Sequence, residues 1–160
     1  MEIRKVGILG AGTMGGGIAH VVAQAGFEVF LLDLSDSLVR GAIERIEKSL
    51  AKNIEKGKLS SQEMGQILGR IHPTTHVEDL RNADLIVEAV FENIEFKTDL
   101  FKKLNDLCPR ETIIASNTST LSITRMAATV SPSERFLGLH FFNPVPAMRL
   151  VEVIPGLQAS

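Results

Sequence analysis

Apolar positions along the chain follow two alternating patterns. Short runs without polar interruption, Val6–Leu9, Val29–Leu32, Leu85–Val90 and Thr112–Ala115, have the character of strands buried on both faces. Helical stretches lie between them. This alternation predicts an α/β fold with a mostly parallel, doubly wound sheet and helices on both sides. Ser35 to about Gly69 departs from the simple pattern. Ser35-Asp36-Ser37 starts a long amphipathic helix, Leu38 to Lys56, which Gly57 ends, and Ser60-Ser61-Gln62-Glu63 starts a second by capping-box spacing. The resulting helical-hairpin insertion is longer than a crossover needs. Its mixed charge fits either a solvated face or a projection that touches a large substrate. In the last third, a short helix around Leu121–Ala128 precedes two apolar strands, Phe136–Phe142 and Arg149–Ile154. Asn143-Pro144-Val145-Pro146 joins them, and its prolines are expected to hold that connection extended. An antiparallel pair at the C-terminal side of the sheet is the natural outcome.

The first strand meets Gly10-Ala11-Gly12-Thr13-Met14-Gly15, a G-x-G-x-x-G turn that opens a helix through Ile18–Ala25. The first glycine permits the tight turn, the second lets backbone approach a pyrophosphate, and the third lets helix and strand pack closely. The helix contributes free N–H groups and a positive dipole end. The second strand then stops on Asp33, about 20 residues beyond the glycines, as a Rossmann dinucleotide fingerprint requires. A carboxylate there can accept hydrogen bonds from a ribose 2′-hydroxyl and repels a 2′-phosphate, which points to NAD as cofactor. The plainer alternative is that Asp33 solvates a strand end.

Composition narrows the class. At 160 residues, 44% hydrophobic and 22% charged, the chain matches one soluble globular domain, residues 1–160. A net charge of −2 supplies neither a basic face for nucleic acid nor a polybasic membrane anchor. No apolar run is long enough to span a bilayer. The fold starts within a few residues of Met1, so no leader peptide is expected and the location is taken as cytoplasmic. The single cysteine, Cys108, is expected to be a passive apolar residue. No His/Cys/Asp cluster has metal-ligand spacing.

Oxidation of an alcohol by NAD needs a base for the hydroxyl proton. His140 stands out as the histidine inside an apolar strand; His20 lies on the first helix, and His72 and His76 flank a Pro-Thr-Thr loop. Glu152 is the lone charge in Leu150-Val-Glu-Val-Ile154, and a carboxylate among apolar neighbours is costly without a partner. If the two strands pair, His140 and Glu152 form a dyad in which the carboxylate fixes the tautomer and stabilises the imidazolium. A structural histidine is the alternative. Ser116-Asn117-Thr118-Ser119 follows a parallel strand, at the sheet edge where open α/β folds bind ligands. Asn117 and Ser119 can reach a nicotinamide or a substrate oxygen there, or the serines and threonine merely cap the next helix.

These blocks together are familiar. Gly10–Ala19, Val87-Glu-Ala-Val-Phe-Glu-Asn93, Ala115–Ser119 and His140-Phe-Phe-Asn-Pro-Val-Pro146 through Ile154 resemble the N-terminal domain of the 3-hydroxyacyl-CoA dehydrogenases, the bacterial 3-hydroxybutyryl-CoA dehydrogenases among them. The resemblance implies hydride transfer between NAD(H) and a 3-hydroxyacyl-CoA, in fatty acid or butanoate metabolism. It implies His140 as catalytic base, Glu152 as its partner, and Ser119 as the residue binding the substrate oxygen near the nicotinamide. Asp33 is implied as adenosine-ribose ligand, with Glu92, Lys97, Asn117 and Asn143 around the cofactor. Ser49, Lys56 and Lys97 are implied as coenzyme A contacts, which favours the substrate-touching role for the hairpin. Members of the family continue into a second, helical domain that supplies the dimer interface and one wall of the acyl pocket. This chain stops soon after Glu152 and is therefore expected to be the isolated cofactor domain, poorly active alone, of a homodimeric enzyme. Related proteins act on sugar acids, which leaves a second substrate class open.

Overall fold

A strand whose side chains are apolar on both faces must be covered on both faces, and the computed structural model shows how the chain achieves this. It describes residues 2–157; Met1 and residues 158–160, the two ends of the expected 1–160 domain, lie outside the described residues. The elements are β1 (Lys5–Leu9), α1 (Thr13–Gln24), β2 (Glu28–Leu32), α2 (Asp36–Glu55), α3 (Ser61–Gly69), β3 (Ile71–Thr74), β4 (Leu85–Glu88), α4 (Ile94–Leu107), β5 (Ile113–Ser116), α5 (Ile123–Ala127), β6 (Phe136–Phe141) and β7 (Val151–Pro155). They form a seven-stranded sheet of order β3-β2-β1-β4-β5-β6-β7. Strands β1 and β4 run parallel, but the order in which strands are added reverses between them, so the crevice for a ligand opens at their carboxyl ends.

The side-chain period of two splits β1, β2, β4 and β6 between two cores. Val6, Ile8 and Val87 pack under α1, α2 and α3 with Ile18, Ala42 and Leu50. Leu9, Ile86 and Ile114 pack on the other face with Phe101, Leu104, Met126 and Phe136. Phe101 and Phe136 meet edge to face, with centroids 4.8 Å apart at 79°, a favoured aromatic geometry. The hairpin forms as expected. Ser35 caps α2, a reciprocal Ser60–Glu63 capping box starts α3, and Gly57 between them takes φ +67°, which a side chain disfavours.

The C-terminal antiparallel pair, β6 with β7, forms as expected. Strand β6 runs parallel to β5, and only β7 is antiparallel. Two local expectations fail. Pro73 and Thr74 do not form a loop between His72 and His76 but continue β3 from His72, which pairs with Phe30 of β2. Pro73 is tolerated because β3 is the sheet's edge and needs no N–H on its open side. The link after β6 is not extended. Ala147 and Met148 donate to the Pro144 carbonyl at 3.0 and 3.1 Å, folding it into a turn, since proline lacks the donor but keeps the acceptor. Val145 is thereby buried. Among the described residues no helix is long and apolar enough to cross a membrane.

Candidate active site

The glycine turn is shaped by what its missing side chains permit. Gly10 has φ +99°, and a Cβ there would lie 2.6 Å from the Ala89 carbonyl oxygen; a Cβ on Gly15 would lie 1.7 Å from the Gly10 carbonyl oxygen. Gly12 differs: a Cβ there meets nothing within 4 Å. The space in front of Gly12 is therefore open to a ligand. Each of α2, α3, α4 and α5 has a side-chain cap from Ser35, Ser60, Asn93 or Ser122. Helix α1 has none, and the N–H groups of Thr13, Met14 and Gly15 have no intrahelical acceptor. An uncapped N-terminus facing open space is what a pyrophosphate requires.

Asp33 fastens this turn to the end of β2. Its carboxylate accepts from the Ala11 N–H at 2.6 Å and from the Leu34 N–H at 2.7 Å. Arg45 of α2 donates to the Ala11 carbonyl at 2.7 Å. A cavity of about 550 Å³ lies beside them, lined by Gly10, Gly12, Asp33, Val77, Phe96 and Leu100 among others. Its mostly apolar walls, with Asp33 beside the glycine turn and His76, Glu78 and Lys103 also on its lining, suit an adenosine. A second cavity of about 340 Å³ holds Met14, Glu92, Lys97, Asn117, Ser119, His140 and Asn143. These two volumes flank the glycine turn, and together they fit the two halves of NAD.

The histidine of the dyad lines the second cavity. Strand register sets His140 opposite Glu152 on β7, which puts both side chains on one face of the sheet. His140 Nδ1 lies 2.8 Å from Glu152 Oε2, and His140 Nε2 lies 3.1 Å from Ser119 Oγ. Asn117 Oδ1 accepts from the Phe141 N–H at 2.8 Å, tying the loop after β5 to β6 beside His140.

A charged network absent from the sequence reading underlies this loop. Glu88, at the end of β4, is fully buried, and Lys97 is buried to 1% exposure. Lys97 Nζ lies 3.1 Å from Glu88 Oε1 and 3.2 Å from Glu92 Oε2. Ser116 donates to Glu88 at 2.6 Å, and Thr118 donates its hydroxyl to Glu92 at 3.0 Å and its N–H to Ser116 at 3.3 Å. The signal for Glu88 was present: it is a lone charge in an apolar run, as Glu152 is.

Ser49 and Lys56 are not brought to this cavity. Ser49 lines a separate hollow of about 150 Å³ with His20, Arg45, Asn143 and Pro144. Lys56 is exposed at the C-terminal cap of α2, about 10 Å farther along the helix axis at 1.5 Å per residue. Asn143 lines both hollows. Cys108 is buried and donates weakly to the Leu80 carbonyl at 3.8 Å; burial pushes its thiol pKa up, as befits an unreactive residue.

Comparison with known proteins agrees with this geometry. Residues 5–160 match the family described as 3-hydroxyacyl-CoA dehydrogenase, NAD binding domain. The chain is 49% identical over 156 residues to a probable 3-hydroxybutyryl-CoA dehydrogenase of Deinococcus radiodurans, covering 98% of this chain and 56% of that protein. It is 44% identical over 160 residues to a probable 3-hydroxybutyryl-CoA dehydrogenase of Bacillus subtilis, covering 100% and 56%. The crystal structure of (S)-3-hydroxybutyryl-CoA dehydrogenase from Ralstonia eutropha superposes with a TM-score of 0.97 at 45% identity, over 99% of this chain and 56% of that one. The chain thus spans little more than half the length of these relatives. The open glycine turn, the acid at the end of β2 and the match over residues 5–160 lead to one conclusion: the chain belongs to the 3-hydroxyacyl-CoA dehydrogenase NAD-binding domain family.

Proposed function

We propose that this domain serves hydride transfer between NAD(H) and a 3-hydroxyacyl-CoA, with His140 as the general base. The observation that carries the reading is the line Glu152–His140–Ser119, with contacts of 2.8 and 3.1 Å, whose His140 and Ser119 line the cavity that also holds Lys97 and Asn117. The nicotinamide, when bound, supplies the hydride acceptor. With Nδ1–H donated to Glu152, the His140 Nε2 lone pair faces the cavity and takes the proton of the substrate hydroxyl. Glu152 then balances the imidazolium. Ser119 donates to the substrate oxygen and holds it within reach of Nε2. Thr13, Met14 and Gly15 give backbone N–H groups to the pyrophosphate, and Asp33 accepts from the adenosine ribose. Ser49 and Lys56 are assigned to coenzyme A, where lysine acts as a point charge toward phosphate; the hollow that Ser49 shares with Asn143 supports this for Ser49.

Turnover belongs to a protein of the relatives' length, in which further chain covers the apolar residues left exposed near β7, such as Leu150, Val153 and Leu157. A homodimer and a cytoplasmic location are parts of the same proposal. The test is oxidation of NADH by acetoacetyl-CoA in the longer protein. His140→Gln is expected to lower kcat by at least about 100-fold, the scale of general base catalysis. Undiminished turnover would remove His140 from this role.

A further inference from the structure

We infer that Glu88 is a positioning residue of the nicotinamide half of the site, acting through Lys97. Lys97, Glu88, Ser116, Thr118 and Glu92 close a ring of hydrogen bonds and ion pairs, each contact between 2.6 and 3.3 Å. The ring joins the two loops that leave the carboxyl ends of β4 and β5, and both loops line the cavity that contains Ser119 and His140. Glu88 is the ring's hub. Its Oε1 accepts from Lys97 and from the Val90 N–H at 2.7 Å, and its Oε2 accepts from Ser116.

Stability alone does not account for this arrangement. A buried ion pair is commonly matched or bettered by apolar residues of similar volume, so its retention points to a requirement for placement. Lysine has three donors. Glu88 and Glu92 take two, and Lys97 also borders the cavity, so the ring leaves one N–H to face a ligand there. Glu92 is half exposed at 45% and holds Lys97 weakly in water; the buried Glu88 fixes the direction. Glu88 itself is fully buried and does not line the cavity.

The inference rests on the assignment of Lys97 to the cofactor site, and the experiment separates the two. NADH affinity is measured by calorimetry for the 160-residue chain, E88Q, and E88Q combined with K97M, with a thermal melt of each. Glutamine keeps the volume and its amide oxygen can accept from Val90 N–H, so E88Q is expected to melt cooperatively, but it brings no charge to hold Lys97 in one direction. Its NADH affinity should fall on the order of tenfold, the scale of one charge-assisted hydrogen bond. Adding K97M should then cost less than about twofold, because Lys97 is already misdirected. Glu88→Asp, which keeps the charge but shortens the reach, should weaken binding as well and reads the same position if E88Q does not fold. Unchanged affinity in E88Q and in Glu88→Asp, or a second tenfold loss from K97M in the E88Q background, would overturn the inference. Failure of the unsubstituted chain to bind NADH would instead overturn the cofactor-site assignment on which it rests.

Discussion

Replacing Gly12 by alanine should separate cofactor binding from folding. Gly12 has φ −70° and ψ −165°, a conformation open to any L-residue, and its Cβ would meet nothing within 4 Å. Two small effects act on stability. Alanine is a poorer helix N-cap than glycine, which costs about 0.5–1 kcal/mol. It also restricts the unfolded chain, which returns about 0.4–1 kcal/mol. They nearly cancel, so the melting temperature should move by no more than about 2 °C in a chain of this size. The added methyl occupies the volume assigned to the pyrophosphate, and NADH affinity should fall by at least about tenfold, or ~1.4 kcal/mol. Gly15→Ala provides the contrast. Its Cβ at 1.7 Å from the Gly10 carbonyl oxygen forces backbone to move, and overpacking of this kind costs about 1–3 kcal/mol or more. That lowers the melting temperature by roughly 2–12 °C before any ligand is added. Calorimetric titration with NADH and a thermal melt of both variants give the four quantities. Full NADH affinity in Gly12→Ala would refute the placement of the phosphates, and an unshifted melt in Gly15→Ala would refute the packing argument.

Two further outcomes follow from single residues. Asp33→Ala should narrow the preference for NADH over NADPH at least about tenfold, since repulsion of the 2′-phosphate is removed; equal affinity of the unsubstituted chain for both cofactors would contradict the role of Asp33. Burial holds the His20 pKa below its ordinary 6.5, so the unfolded chain takes up this proton first as pH falls. Its contribution to stability is therefore complete above pH 6.5 and declines below it toward the folded pKa. His20→Gln should gain stability relative to the parent between pH 7.5 and 5.5 in urea titrations, and a pH-independent difference would count against the buried neutral imidazole.

What the sequence made legible was local. The strand, glycine turn, helix and acid from Val6 to Asp33 lie in one βαβ unit, so spacing alone defines them, and both caps of the helical hairpin are written within four residues. The His140–Glu152 contact is longer-range but was readable because β6 and β7 are neighbours in sequence and each carries one conspicuous polar residue. Tertiary partners were not legible. Arg45 serves the Ala11 carbonyl 34 residues away, and nothing near Arg45 marks it. Gly17 owes its lack of side chain to Val145, which a Cβ would approach to 2.9 Å. Pro73 and Pro144 misled in different ways: Pro73 reads as part of a loop but sits in an edge strand, and Pro144 reads as holding an extended link but starts a turn. Glu88 was overlooked because its partners, Lys97 and Ser116, belong to two other elements, although its isolation among apolar residues was the same sign that identified Glu152.

The central claim is that a bound NAD(H) lays its nicotinamide beside Ser119 and His140. At 17.4 kDa the chain suits two-dimensional nuclear magnetic resonance, and titration with NADH maps the contact directly. The account predicts saturable shifts at the amides of Gly10–Gly15 and Asp33, together with Asn117–Ser119 and the His140 imidazole. Shifts confined to the hollow around Ser49, or absent from Ser119 and His140 at saturation, would contradict it.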